Sequence, residues 1–488
     1  MAAELCNRQG LDLMSQGNLE EALNVFRAGI EADPGYPENH MDAGAVLRLL
    51  ARGQEAAEAF RKTLALRPRW PGALYNLGVT LLENGDVKGS IVALEDALSL
   101  DSRFSLAHGG LGLSLLRQQD LQGAKAAFQQ ALEIDPGLHL ASHHLGMVHW
   151  LCREEEAAIS VYREGLRRSP AACCDCHLAL SLALLARGEY DEGWREYEWR
   201  WPCLGETPHL DGFDIPVWDG SPLHGKSIVL WPEQGLGDIL MFVRFAKQVH
   251  DRGGEVWVLS RPNLDRLLAT CPGVAGVTSE PEHLRDMDFQ IPLGSLPRVL
   301  GIGLDELAAE GRHYLAPPEP FDSDPFGARH GHALRVGLVW AVEQGQPGWE
   351  ERSCPLPLFR ALESVPGVEL YSLQFGSRSV ELRQPGAPRT ADLSAVLGDF
   401  ASTAALIEWL DLIITVDTSM AHLAGAIGRP VWTLLHSDAD WRWLKGREDS
   451  PWYPTLRLFR QTRPGDWQSV MERVVSALRE LHCESSAA

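Results

Sequence analysis

Small, apolar and turn-forming residues recur every 34 positions through the first part of the chain. Glycine stands at Gly10, Gly44, Gly78, Gly112 and Gly146. Ala22, Ala56, Ser90, Ala124 and Ala158 keep the same step, as do Phe26, Phe60, Leu94, Phe128 and Tyr162. A fourth series reads Pro34, Pro68, Ser102, Pro136 and Pro170. Each period predicts two antiparallel helices. The glycine lets the first helix approach its partner closely, and the alanine does the same from the second. The aromatic is expected to fill the gap to the next repeat, and proline ends the second helix.

A period of this length with these residues is the signature of the tetratricopeptide repeat (TPR), an all-α superhelix whose concave groove binds extended peptides. Five regular units span residues 3–172, and a weaker sixth runs to about 204. The second helix of the sixth carries Trp194, Tyr197, Trp199 and Trp201. That aromatic load is heavy for a solvent cap and predicts docking onto the part that follows.

From Lys226 the pattern changes to short apolar runs alternating with amphipathic stretches. Strands are predicted at 227–231, 255–259, 335–340, 369–373, 412–416 and 430–435, with a helix over 239–250. Strands alternating with helices imply parallel sheets covered on both faces. The stretch 317–332 is rich in Pro and Asp and reads as a linker. The resulting plan is a repeat array at 3–204, a connector at 205–225, and two α/β halves at 226–318 and 333–482.

Composition narrows the function. The 488 residues are 45% hydrophobic and 23% charged, with a formal net charge of -22. An acidic chain argues against a nucleic-acid partner, which needs a basic surface, but leaves room for a local basic pocket. No secretory signal and no apolar run long enough to span a bilayer is seen. The nine cysteines lack a disulfide-scaffold rhythm, which suits a reducing cytoplasm. Cys173, Cys174, Cys176 and His177, with His143, His144, His149 and Cys152 one repeat earlier, could build a metal site. No CxxC pair stands opposite a second pair, however, and small cysteines suit helix packing, so no metal is expected.

Two strand-to-helix turns carry candidate chemistry. In Glu-Gln-Gly-Leu-Gly-Asp at 233–238, Gly235 and Gly237 free the backbone to approach a ligand. Asp238 there is either a helix cap or a catalytic carboxylate. In the second turn a buried strand ends in Asp417, Thr418 and Ser419, and a small-residue helix with His422 follows. Its N–H groups and dipole suit a phosphate, although Asp417 or Thr418 could be a plain cap and His422 a packed core residue. Both turns lie at carboxyl ends of strands, where open α/β sheets bind ligands.

The Gly-Asp turn at 237–238 and the stretch Val-Asp-Thr-Ser-Met-Ala-His-Leu-Ala-Gly-Ala-Ile-Gly-Arg-Pro-Val-Trp at 416–432 resemble heptosyltransferase-type (family 9) glycosyltransferases. Trp-Asp-Gly at 218–220, Pro-Leu-Gly-Ser-Leu-Pro at 292–297 and Gly-Leu-Val-Trp at 337–340 bring the chain closer to bacterial fusions of TPRs with such a domain. Asp-Trp-Arg-Trp at 440–443 and Ser-Pro-Trp-Tyr-Pro at 450–454 point the same way.

The resemblance implies a GT-B fold of two Rossmann-like halves, with a last helix at about 466–481 crossing back to the first half. It implies metal-independent transfer from a nucleotide sugar, with no further cofactor. Asp238 would be the general base. Thr418, Ser419 and His422 would hold the donor phosphates, Arg352 would meet the leaving-group charge, and Gln374 would line the nucleotide pocket. The acceptor would be a protein or peptide in the TPR groove, and relatives of this shape that modify flagellin make flagellin the acceptor implied. Two other readings are a TPR scaffold with a degenerate transferase domain, and a transferase acting on cell-surface glycans. The chain departs from the pattern at 341–352, where acidic residues replace a Gly-Asn turn and basic residues, and at Trp231 and Pro232, where His-Ala is usual.

Overall fold

The computed structural model describes residues 1–169, 173–210, 212–309, 313–321, 323–327, 333–346 and 348–487. Pro170, Ala172 and part of the 317–332 linker therefore lie outside the described residues. The chain packs as two compact units, Met1–Leu180 and Ser181–Ala488.

Ten helices fill the first unit in antiparallel pairs: α1 (Ala2–Ser15), α2 (Leu19–Ala32), α3 (Pro37–Leu49), α4 (Gly53–Leu66), α5 (Pro71–Glu83), α6 (Val87–Leu100), α7 (Ser105–Arg117), α8 (Leu121–Ile134), α9 (His139–Leu151) and α10 (Glu155–Arg168). The repeating alanine series is fully buried. The aromatic series packs into the glycine of its own repeat and also meets the next one, as expected: Phe60 shares a core with Leu77 and Leu81, and Phe128 stacks on the His144 ring. A side chain on Gly44 would lie 2.8 Å from Phe60, and one on Gly112 only 2.6 Å from Phe128. The bulk of one helix thus fills the hollow left by the missing Cβ on its partner, as close interior packing demands.

Helix ends follow local chemistry. Asp33 and Asp135, each followed by proline, leave the helix with extended dihedrals. Asp101 does so without a proline. There its carboxylate accepts from the Arg103 N–H at 3.0 Å, the same Asx turn that Asp33 and Asp135 make with the Gly35 and Gly137 N–H groups.

The cysteine and histidine cluster resolves into local packing. Cys173 and Cys176 are joined by a disulfide, where the sequence suggested none. His149 pairs with Glu154, and the His144 ring stacks on Phe128. Among the described residues no group of three such side chains is placed to hold a metal ion.

The end of α11 (Cys174–Arg187) opens the second unit, followed by α12 (Tyr190–Tyr197) and α13 (Arg200–Leu204). A four-stranded parallel sheet comes next, built from β1 (Ser227–Trp231), β2 (Glu255–Leu259), β3 (Val274–Thr278) and β4 (Phe289–Pro292) in the order β3-β2-β1-β4. Its helices are α14 (Leu236–Phe242), α15 (Ala246–Asp251), α16 (Asp265–Leu268), α17 (Leu296–Leu300) and α18 (Leu304–Ala309). The single helix predicted over 239–250 is split by a 3-10 turn at Val243–Phe245.

A second, six-stranded parallel sheet has the order β10-β9-β8-β5-β6-β7. Its strands are β5 (Leu334–Val339), β6 (Val368–Ser372), β7 (Ala391–Asp392), β8 (Leu412–Val416), β9 (Val431–Leu435) and β10 (Leu456–Arg460). Around it lie α19 (Trp349–Arg352), α20 (Phe400–Ile407), α21 (Ser419–Ala426) and α22 (Trp467–Ala487). The resemblance implied that the last helix returns to the first half. Instead, α22 buries Val470, Met471, Val474 and Leu478 in the core of the second sheet, with Val336, Leu338, Phe359 and Ile414. Its apolar face completes a layer that those residues would otherwise expose to water.

The aromatic helix α12 is integral to this unit. Trp194 is buried, lies edge-to-face with Trp441 and Phe242, and donates to the Ile302 carbonyl at 3.1 Å. Tyr190 packs with Trp452, and Tyr197 with Trp441.

Candidate active site

Both sheets reverse their strand order once. From β1 the chain adds β2 and β3 on one side, then places β4 on the other. From β5 it adds β6 and β7, then returns to β8 on the far side. A crevice opens at the carboxyl ends wherever the order reverses. The two candidate turns occupy these two places: 232–238 follows β1, and Asp417–Ser419 follows β8.

The packing of α14 on α21 brings them together. Gly237 makes the approach possible, because a Cβ there would meet His422 Cδ2 at 2.8 Å and Nε2 at 3.2 Å. The ring edge of His422 therefore lies against the turn that carries Asp238. This contact joins residues 185 positions apart (422 − 237).

Asp238 sits in the first turn of α14, where one carboxylate oxygen, Oδ2, accepts from the Gly235 N–H at 3.2 Å. It does cap the helix, as one of the two sequence readings had it. The other oxygen, Oδ1, pairs with Arg442. Arg442 also donates to Gln234 at 2.9 Å and to Asp440 at 2.7 Å, and it lies over the Trp441 ring. Burial works against its charge, but the carboxylates of Asp440 and Asp238 outweigh that and raise its pKa. The Asp-Trp-Arg-Trp motif at 440–443 is legible in the sequence, but the part that Arg442 plays is not. The signal was present as a cation between two tryptophans beside an aspartate, a setting that spares a buried guanidinium from lacking partners.

A second arginine fixes the turn from behind. Arg200 of α13 grips Glu233 in bidentate fashion at 2.6 and 2.8 Å, and also donates to Ser295 at 2.8 Å. Glu233 accepts in turn from the Gly294 N–H at 2.9 Å. The turn after β1 is thus tied both to the turn after β4 and to the aromatic helices. Gln234 extends the network to the Tyr197 hydroxyl.

On the second sheet, Thr418 is the N-cap of α21, its Oγ1 accepting from the Met420 N–H at 3.3 Å. Ser419 begins that helix and is half-buried. Asp417 is buried, and burial pushes its carboxyl up despite the opposing charge of Arg352. Arg352 reaches it at 3.4 Å and also donates to its backbone carbonyl. Gln374 is buried as well. Its Oε1 accepts from the N–H groups of Trp340 and Ala341, and its Nε2 donates to the carbonyls of Ala341 and Phe375. Both donors and both lone pairs are thereby used, so the amide shapes the loop after β5. The acidic residues of that loop, Glu343, Glu350 and Glu351, are exposed, and Glu343 accepts from Ser377.

His422 is buried, with Nδ1 at 2.9 Å from the Tyr453 hydroxyl. Burial first, then the charges of Arg442, Arg244 and Arg352, pushes its pKa down to about 3. The imidazole is therefore neutral at physiological pH. An unfolded histidine takes up its proton near 6.5, whereas the folded one waits until about 3, so the folded state loses stability as pH falls through this window. The slope is expected to approach ~1.4 kcal/mol per pH unit. His422→Gln should flatten it in urea unfolding between about pH 6.5 and 4. A smaller slope from His436, whose ring burial also pushes down, should remain. Asp417, raised, acts in the opposite sense at the acid end. An unchanged slope in the variant would mean that His422 is not the group responsible.

The chain matches the tetratricopeptide repeat family over residues 7–73, 49–102 and 75–139. Residues 391–445, which hold β8, α21 and Arg442, match glycosyltransferase family 9 (heptosyltransferase). The chain is a TPR-containing, glycosyltransferase-like protein. A curated relative, Protein FlbA of Caulobacter vibrioides, is 29% identical over 362 residues, covering 67% of this TPR glycosyltransferase-like chain and 59% of the relative. The match thus spans less than two thirds of that relative's length. Among solved structures, pilF of Pseudomonas aeruginosa is 22% identical, covering 42% of this chain and 91% of its own, with a TM-score of 0.38. PilW, a type IV pilus biogenesis factor, is 18% identical, covering 43% and 96%, with a TM-score of 0.39. Among the described residues no helix is long and apolar enough to cross a membrane.

Proposed function

We propose that the second unit is a GT-B-type glycosyltransferase whose two Rossmann-like halves carry the two parallel sheets. It transfers a sugar from a nucleotide-sugar donor to a protein or peptide held by the TPR groove, in the cytoplasm and without a metal. The observation that carries this reading is the meeting of His422 with the turn that holds Asp238, at Gly237, from two strand-to-helix turns at two reversal points, beside buried arginines. Asp238 acts as the general base for the acceptor hydroxyl, since its carboxylate keeps a second lone pair on each oxygen. Thr418, Ser419 and the first N–H groups of α21 bind the donor phosphates. Arg352, with Arg442, meets the charge that develops on the leaving nucleotide. Gln374 acts by shaping the loop beside that site. Flagellin is the acceptor this reading favours.

A second reading, a binding scaffold with an idle transferase domain, draws on the exposed acids at 343–351, which are unfavourable next to a phosphate. A thermal-shift screen of the full chain against nucleotide sugars separates the two. A bound donor at about 100 times its Kd stabilises the folded state by about 2.7 kcal/mol. Release of free nucleotide on adding flagellin, and not on adding cell-surface glycan, then selects the protein acceptor. Stabilisation without any turnover supports the scaffold, and no stabilisation by any donor defeats the transferase reading.

A further inference from the structure

The Nδ1 of His422 has a side-chain partner 31 positions further along the chain. Tyr453, on the segment between β9 and β10, is 1% exposed and lies along α21. Its ring fills the space beside Gly425, where any side chain would collide with it. From there its hydroxyl reaches back one turn to His422 Nδ1 at 2.9 Å.

A buried tyrosine O–H needs an acceptor. Arg244, whose guanidinium lies 4.9 Å from the centre of the Tyr453 ring, can only donate. The nearby Tyr314 hydroxyl gives its own proton to the Leu240 carbonyl at 2.7 Å and accepts from Arg244 at 3.0 Å. Two acceptors face the Tyr453 hydroxyl, the second lone pair of the Tyr314 oxygen and His422 Nδ1, and the imidazole nitrogen, at 2.9 Å, is the more basic of the two. The proton of a neutral imidazole then belongs on Nε2, the atom that lies along Gly237 and the Asp238 turn.

We propose that Tyr453 is a positioning residue: it donates to Nδ1, fixes His422 as the Nε2–H tautomer, and so presents one neutral hydrogen-bond donor to an acceptor oxygen of the ligand at the Asp238 turn. The ligand's identity rests on the transferase reading above; the tautomer does not. Arg244 supports the arrangement from below. It is buried, donates to the Trp452 carbonyl at 2.8 Å, and thereby anchors the backbone next to Tyr453. A neutral donor suits a crowded phosphate site already holding arginines, because it adds a directed bond without further like-charge repulsion.

The test is nitrogen-15 NMR of the full chain labelled at histidine, with His422→Gln used to assign the resonance. In the wild type the expected pattern is a protonated Nε2 and a bare Nδ1. Tyr453→Phe should keep the fold, since the ring is retained, but blur the pattern into exchange between tautomers. Titration with inorganic pyrophosphate should shift the Nε2–H resonance, with affinity about 2- to 10-fold weaker in Tyr453→Phe. A protonated Nδ1 in the wild type overturns the proposal, as does a Tyr453→Phe protein with an unaltered tautomer signal. If no nucleotide sugar binds the chain at all, the transferase reading fails while the wild-type tautomer pattern still decides this inference.

Discussion

Asp238→Asn is expected to lower sugar transfer by about 10²- to 10⁴-fold, the usual contribution of a positioned general base, with donor affinity nearly unchanged. Asparagine has the same shape, and its amide oxygen still accepts from the Gly235 N–H, so the cap on α14 persists. Arg442 retains Asp440 and Gln234 as partners. The variant therefore separates chemistry from architecture. Donor binding measured by calorimetry should stay within a few-fold of wild type while turnover falls. Equal turnover in the two proteins would remove Asp238 from the mechanism and leave it as a helix cap.

Much of this layout was readable in the sequence, and what was not has physical causes. The repeat period yields the helix pairs because each unit reuses one packing solution, with glycine facing an aromatic. The period alone places the aromatic at a helix interface but does not show that it also fills the hollow beside the glycine of its own repeat. Strands β1 and β8 match their predicted bounds because each is a continuous buried apolar run. Strands β3, β4, β7 and β10 escaped; all four lie at sheet edges, and β7 has only two residues. The split in the helix after β1 was invisible because neither glycine nor proline marks the break at 243–245.

The site shows the same division. Asp238, Asp417, Thr418 and His422 stand out because each follows a strand and opens a helix. Arg442, Arg200 and Tyr453 do not, because their roles depend on contacts across long stretches of sequence. Arg442 and Asp238 are separated by 204 positions. A short motif names such residues, but only the fold shows what they touch. For Gln374 the resemblance implies a place in the nucleotide pocket, and the fold adds that its amide is bonded to the loop after β5.

The largest structural effect is expected from Arg442→Met. The side chain is mostly buried and holds two carboxylates and an amide at once. Methionine fills much of the volume but leaves Asp238 and Asp440 side by side without a counter-charge. Removing one partner of a buried pair typically costs about 3–5 kcal/mol, and the partial exposure of these carboxylates places the expected loss near the lower end, about 3 kcal/mol. Arg442→Lys should recover only part of it, since an ammonium cannot reproduce the planar fork that reaches three acceptors. Hydrogen exchange across 233–242 reads the effect directly. Protection there should drop sharply in the methionine variant, less in the lysine variant, and hardly at all in Asp238→Asn. The order matters more than the size: it requires that the turn after β1 be held by the arginine and not by its aspartate. If Asp238→Asn loosens this segment as much as Arg442→Met, the pair itself is the clamp, and the Gln234 and Asp440 contacts contribute little.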